Sequence, residues 1–153
     1  MNEHEALTNT SDENLRTEAT LGMIGYRLRR AQLSVFQQFL SFFETLNLRP
    51  AEYSVLVLME ENPGRKQSEI AAALSIKRAN FVALVDGLEK RGLISREVVA
   101  NDRRANALYL TEQGTRFLAD ARDVHAKLED DLVARLGGTE QRDTLLSLLK
   151  KIT

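Results

Sequence analysis

The sequence predicts a mostly α-helical chain with one small β-hairpin. Apolar residues recur every three or four positions through most of the 153 residues, the period of a helix buried along one face. Strict alternation replaces that period in only two short runs, 94–99 and 105–110, and the turn between them holds "NDRRA", which is the pattern of a hairpin. The strongest breakers, Pro50, Pro63-Gly64, Gly92 and Gly137-Gly138, fall at the ends of the periodic runs, where turns are expected.

Taken in order, residues 1–17 are polar and aperiodic, and read as a flexible tail. From Thr20 to about Leu46 a long helix is expected, with Leu21, Ile24, Leu28, Ala31, Val35, Phe39, Phe42 and Leu46 on one line. Tyr26, Leu33 and Leu40 form a second line at seven-residue spacing. A helix apolar on two sides must be buried on two sides, so it asks for a partner chain. Pro50 opens a helix that runs to about Glu61, because a missing N–H costs nothing at the first position.

Two short helices follow, at 67–74 and 78–91, joined by Ser75-Ile76-Lys77. Ile70, Ala71 and Leu74 face inward on the first, and Phe81, Leu84, Val85 and Leu88 on the second. Gly92 caps the second helix and the hairpin comes next. Thr111 caps a long helix reaching about Leu136, with Phe117, Ala121, Val124, Leu128, Leu132 and Leu136 inward. After Gly137-Gly138, Thr139 is expected to cap a last helix carrying Leu145, Leu148, Leu149 and Ile152.

Composition narrows the chemistry. The absence of cysteine excludes disulfides, zinc–thiolate sites and thiol redox sensing. Two distant histidines, His4 and His125, make a transition-metal site an unpromising reading, so no metal or cofactor is expected. No paired catalytic carboxylates, Ser/His/Asp ordering or Gly-rich phosphate loop stands out, so an enzyme is not expected. The polar N-terminus lacks the apolar core of a secretory signal. The longest apolar run, Val55 to Met59, is too short to cross a bilayer. A cytoplasmic protein with no membrane partner is expected.

The net charge of −1 hides a pattern. Residues 65–104 carry nine bases against five acids, whereas residues 1–20 carry five acids and one base. A basic middle between acidic ends concentrates the electrostatic footprint in one module. There the helix pair reads as a helix-turn-helix, and the hairpin after it as a wing. Lys77, Arg78, Asn80 and Ala83 lie opposite the inward face of the second helix. Arginine and asparagine at a helix start suit the base edges of a DNA major groove, and small side chains leave room for a thymine methyl. An arginine on a hairpin tip suits a minor groove. The groove contact is assigned to Arg104, a supporting bond to Asp102 and a phosphate contact to Arg103. The candidate DNA-binding set is Lys66, Gln67, Ser68, Lys77, Arg78, Asn80, Asp102, Arg103 and Arg104.

"SEIAAALSIKRANFVALVDGLEKRGLI" followed by "GLISREVVANDRRANALYLTEQG" resembles the MarR family of bacterial transcription regulators. The likeness is carried by Asp102-x-Arg104, by Leu108-x-Leu110-Thr111-x-x-Gly114 and by the Leu88-to-Ile94 junction. One departure is Lys77, where many relatives cap the helix with serine or threonine. The resemblance implies a winged helix-turn-helix at about 50–111, flanked by dimerisation helices at about 20–46 and 112–152, in a single domain over 18–153. It also implies a homodimeric repressor on palindromic promoter DNA, released by a small ligand. "LGMIGYRLRRAQLSVFQQF" resembles members that control the catabolism of aromatic acids and respond to phenolic acids or their coenzyme A thioesters. In relatives the ligand sits between the dimerisation helices and the winged module, which here points to Arg27, Arg30, Phe36, Phe43, Tyr53 and His125. The competing reading is a winged helix that binds proteins and not DNA, which would show an apolar or acidic exposed face on the helix at 78–91.

Overall fold

The computed structural model describes residues 16–99 and 102–153, with backbone alone at 102–104. The element order is α1 (Glu18–Leu21), α2 (Ile24–Phe42), a 3-10 turn (Glu44–Leu46), α3 (Pro50–Glu61), α4 (Gln67–Ala73), α5 (Arg78–Lys90), β1 (Ile94–Val99), β2 (Asp102–Leu110), α6 (Glu112–Leu136) and α7 (Thr139–Lys150). The chain divides into two compact units, 1–37 and 38–153. Among the described residues, no helix is long and apolar enough to cross a membrane.

The core of the second unit gathers Phe43, Leu56 and Met59 with Phe81, Val85 and Leu88 of α5, Leu108 of the hairpin, and Leu118 and Leu128 of α6. Pro50 stands at the first position of α3, as its chemistry requires, and the Glu52 carboxylate accepts the Arg49 N–H at 2.8 Å. α4 ends with Ser75 in the left-handed region (φ 53°). The Ile76 N–H donates to the Ala71 carbonyl and the Ser75 N–H to that of Ala72. Those two bonds satisfy carbonyls left over at the helix end and turn the chain sharply into α5.

β1 and β2 pair antiparallel from Ile94↔Leu110 to Val98↔Asn106, then shift register so that Val99 meets Asp102. Four letters of the expected turn "NDRRA", Asp102 to Ala105, belong to β2, and Asn101 lies outside the described residues. β2 starts at Asp102, three residues before the expected Ala105, because backbone pairing asks nothing of the side chains. The free edge of β2 is covered. The Gly64 N–H donates to the Leu108 carbonyl and the Leu108 N–H to the Arg65 carbonyl, both at 3.0 Å. This bridge ties the start of α4 to the hairpin. Gly64 has φ 77°, and a Cβ there would lie 2.7 Å from the Tyr109 hydroxyl.

Three expectations need correction. The helix expected over 20–46 is interrupted at Gly22-Met23 and gives way to the 3-10 turn after Phe42. Gly22 is a poor helix former, and the Arg27 Nε donates to the Leu21 carbonyl at 2.7 Å, which satisfies the end of α1. On α6 Leu118, which was not expected to face inward, is fully buried along with Ala121, while Phe117 is only half-buried beneath the Arg91 guanidinium, 5.1 Å from its ring centre. Finally, Gly138 and not Thr139 is the N-cap of α7. Thr139 is already helical, since the positive φ of Gly137 (98°) and Gly138 (126°) turns the chain one residue earlier.

Candidate functional site

α5 begins without a side-chain cap, because Lys77 occupies the cap position and makes no capping bond. Its first N–H groups are thus left to solvent or to an acceptor from outside, and a helix N-terminus favours negative charge. Lys77, Arg78, Ala79 and Asn80 are all exposed around this end. Beside it, a cleft of about 440 Å³ runs between α4, α5 and the hairpin, lined by Lys66, Gln67, Ser68, Arg78, Arg96 and Asn106 among others. Four of the nine expected DNA-binding residues therefore share one cleft, and Lys77 and Asn80 flank its lining residues Arg78 and Phe81 in sequence. Asp102, Arg103 and Arg104 belong to β2 by backbone, and their side chains lie outside the described residues.

Arg96 and Asn106 were not in the expected set. The signal for Arg96 lay in the alternation of β1, since Arg96 is two residues from the buried Ile94 and shares its face. Arg96 donates from Nη1 to Glu89 Oε2 at 3.0 Å and from Nη2 to Asp86 Oδ1.

A second concavity, of about 400 Å³, lies between α3 and α6 and is lined by Phe39, Tyr53, Val57, Leu58, Leu74 and His125 among others. Phe39 and Phe43 stack in parallel at 3.9 Å between ring centres. Tyr53 tilts against both, and His125 stacks on Tyr53 at 4.7 Å. Burial pushes the Tyr53 phenol above its ordinary value, with Glu129 and Glu60 adding to the rise and Arg122 opposing it. The phenol therefore stays protonated at neutral pH and can donate a hydrogen bond. Flat apolar walls with a few polar tips suit a small aromatic molecule.

Of the expected ligand set, Tyr53 and His125 line this concavity, and Phe43 is buried behind it. Phe39 and Leu74 join the wall without having been expected there. Arg27, Arg30 and Phe36 belong to the first unit, where Arg27 binds the Leu21 carbonyl and Arg30 lies 3.4 Å from the Tyr26 hydroxyl. Among the described residues no group of three or more His, Cys, Asp or Glu side chains could hold a metal ion.

Residues 46–105 match the MarR family. A candidate transcriptional regulatory protein for the hcr operon of Thauera aromatica is 36% identical over 132 residues, spanning 86% of this chain and 79% of that protein. The transcriptional repressor CouR bound to a 23-mer DNA duplex superposes with a TM-score of 0.85 at 45% identity, covering 90% of this chain and 97% of that one. CouR bound to p-coumaroyl-CoA gives a TM-score of 0.83 at 44% identity, covering 90% and 96%.

Proposed function

This chain belongs to the MarR family, and on that footing we propose that it is a ligand-responsive transcriptional repressor. It acts in the cytoplasm, where its promoter DNA is, and binds a palindromic site as a homodimer. A phenolic acid or its coenzyme A thioester releases it. The observation that carries the DNA-binding half is the uncapped start of α5, with Lys77, Arg78 and Asn80 exposed beside a cleft lined by further cations. At the start of α5 the exposed Lys77, Arg78 and Asn80 are basic or polar and none is acidic, with Ala79, Val82 and Ala83 exposed beside them; a cationic end of this kind favours DNA over the protein-binding reading. The effector half is supported by the aromatic cavity at Tyr53 and His125, and by the likeness to CouR, which binds p-coumaroyl-CoA.

In this reading α5 enters the major groove and the hairpin reaches the minor groove. Gel retardation on the promoter beside its own gene tests it. Arg78→Ala is expected to cost about 1–3 kcal/mol per site and to relax the preference at one base pair. Arg103→Ala is expected to weaken all sequences alike. Arg104→Ala is expected to act most on A·T-rich flanks, through groove width. Asp102→Ala separates support from bare charge. A supporting role makes it weaken operator binding although it removes a negative charge, whereas tighter binding would reduce the motif to a charged turn.

For the effector, p-coumaroyl-CoA is expected to lower operator affinity about tenfold, which needs about 1.4 kcal/mol of coupling between the sites. Tyr53→Ala with His125→Ala is expected to abolish that response while leaving operator affinity near wild type. A panel of phenolic acids and thioesters that changed neither thermal stability nor DNA affinity would reject the effector reading.

A further inference from the structure

We propose that Arg96 is a positioning residue that locks α5 to the hairpin, so that helix and wing meet DNA at one fixed relative angle; this rests on the DNA-binding reading above. The observation is a fork. One guanidinium reaches two carboxylates three residues apart on one face of α5, with Nη1 on Glu89 Oε2 at 3.0 Å and Nη2 on Asp86 Oδ1. Its Nε is buried and has no hydrogen-bond partner among the described residues. The Arg96 side chain is 22% exposed, against 46% for Asp86 and 41% for Glu89.

A partly exposed ion pair contributes little to stability, so stability alone does not explain the arrangement. Direction does. The apolar contacts that hold α5 to the core, Phe81, Val85 and Leu88, are non-directional and set its depth better than its rotation. A planar guanidinium bonded at two points fixes an angle. The other end of the lock is rigid, because Arg96 pairs with Leu108 in the ladder, and Leu108 is fully buried and bonded to Gly64 and Arg65 on its far side. Base reading tolerates angular errors of roughly 10–20°. A helix free to roll by more than that would lose its contacts while keeping its charge.

The test sets charge against geometry. An operator is selected from random duplex DNA by the wild-type protein. Affinities for it and for a scrambled duplex are then measured at one salt concentration. Asp86→Asn with Glu89→Gln removes two negative charges near DNA, so simple electrostatics has it bind more tightly. The lock has it bind the operator about tenfold more weakly, with the scrambled duplex unchanged or tighter. Arg96→Lys keeps the charge but loses the planar fork. It is expected to lose operator affinity likewise, with a thermal midpoint close to wild type. Equal or tighter operator binding by the double variant, or an operator loss matched on the scrambled duplex, overturns the proposal. If the wild-type protein selects no common sequence, the DNA-binding reading itself falls and takes the lock with it.

Discussion

Gly114→Ala is expected to lower the thermal midpoint by about 10 °C, the equivalent of about 3 kcal/mol in a domain of this size. Gly114 sits in the first turn of α6, pressed against the backbone where α5 hands over to β1. A Cβ there would lie 1.8 Å from the Leu93 carbonyl oxygen, and that atom cannot swing away as a side chain could. The contact is held on three sides. The Thr111 hydroxyl accepts the Gly114 N–H at 2.9 Å and donates to the Gly92 carbonyl at 2.6 Å, while the Thr111 N–H donates to Leu93 O at 3.1 Å. A methyl group must therefore break the cap, which alone contributes about 1 kcal/mol, or push α6 away from the α5–β1 junction. Gly87→Ala is the control. It lies within α5, a Cβ there would meet nothing within 4 Å, and it is expected to gain about 0.5–1 kcal/mol. Thermal unfolding of both variants checks the pair. A midpoint for Gly114→Ala within two degrees of wild type would mean that the junction yields easily.

Leu145→Glu with Leu148→Glu is expected to convert the protein to a folded monomer of 17.2 kDa and to reduce operator affinity by at least about 100-fold. In the single chain α7 leaves Leu145, Leu146 and Leu148 exposed, Ile152 just beyond it is 60% exposed, and α2 leaves Leu33, Val35, Phe36, Leu40 and Phe42 exposed. Solitary soluble proteins seldom present so much contiguous apolar surface on a helix. A second copy covering these faces accounts for them, and an obligate interface of this kind buries more than roughly 2,000 Å². Two carboxylates placed there would lose their hydration on association. The affinity loss follows from geometry, because a dimer engages its second half-site at high effective concentration and a monomer cannot. Sedimentation at micromolar concentration decides it. A wild-type monomer, or a double variant that remains dimeric and binds operator normally, would remove this role from α7.

Elements that obey local rules are legible in the amino-acid order. Pro50, Gly92 and Thr111 mark helix boundaries where they were expected, because a missing N–H, a left-handed turn and a capping hydroxyl act within four residues. The inward faces of α4 and α5 follow from a 3.6-residue period, and the hairpin from a period of two. Tertiary structure alone decided the choices between near-equal neighbours and the meetings of distant residues. Phe117 and Leu118 are adjacent on one apolar stripe. Which of them is buried depends on where α6 crosses the core and on Arg91 covering the other. Phe39 joins Tyr53 and His125 from three separate elements, and Gly64-Arg65 closes the edge of β2 from more than forty residues away in sequence. Arg96 looked like one charge among many until Asp86 and Glu89 were placed against it. Periodicity states which face of a helix is apolar. It does not state the helix's rotation or its partner, because apolar burial is non-directional and the groups that supply direction come from elsewhere in the chain.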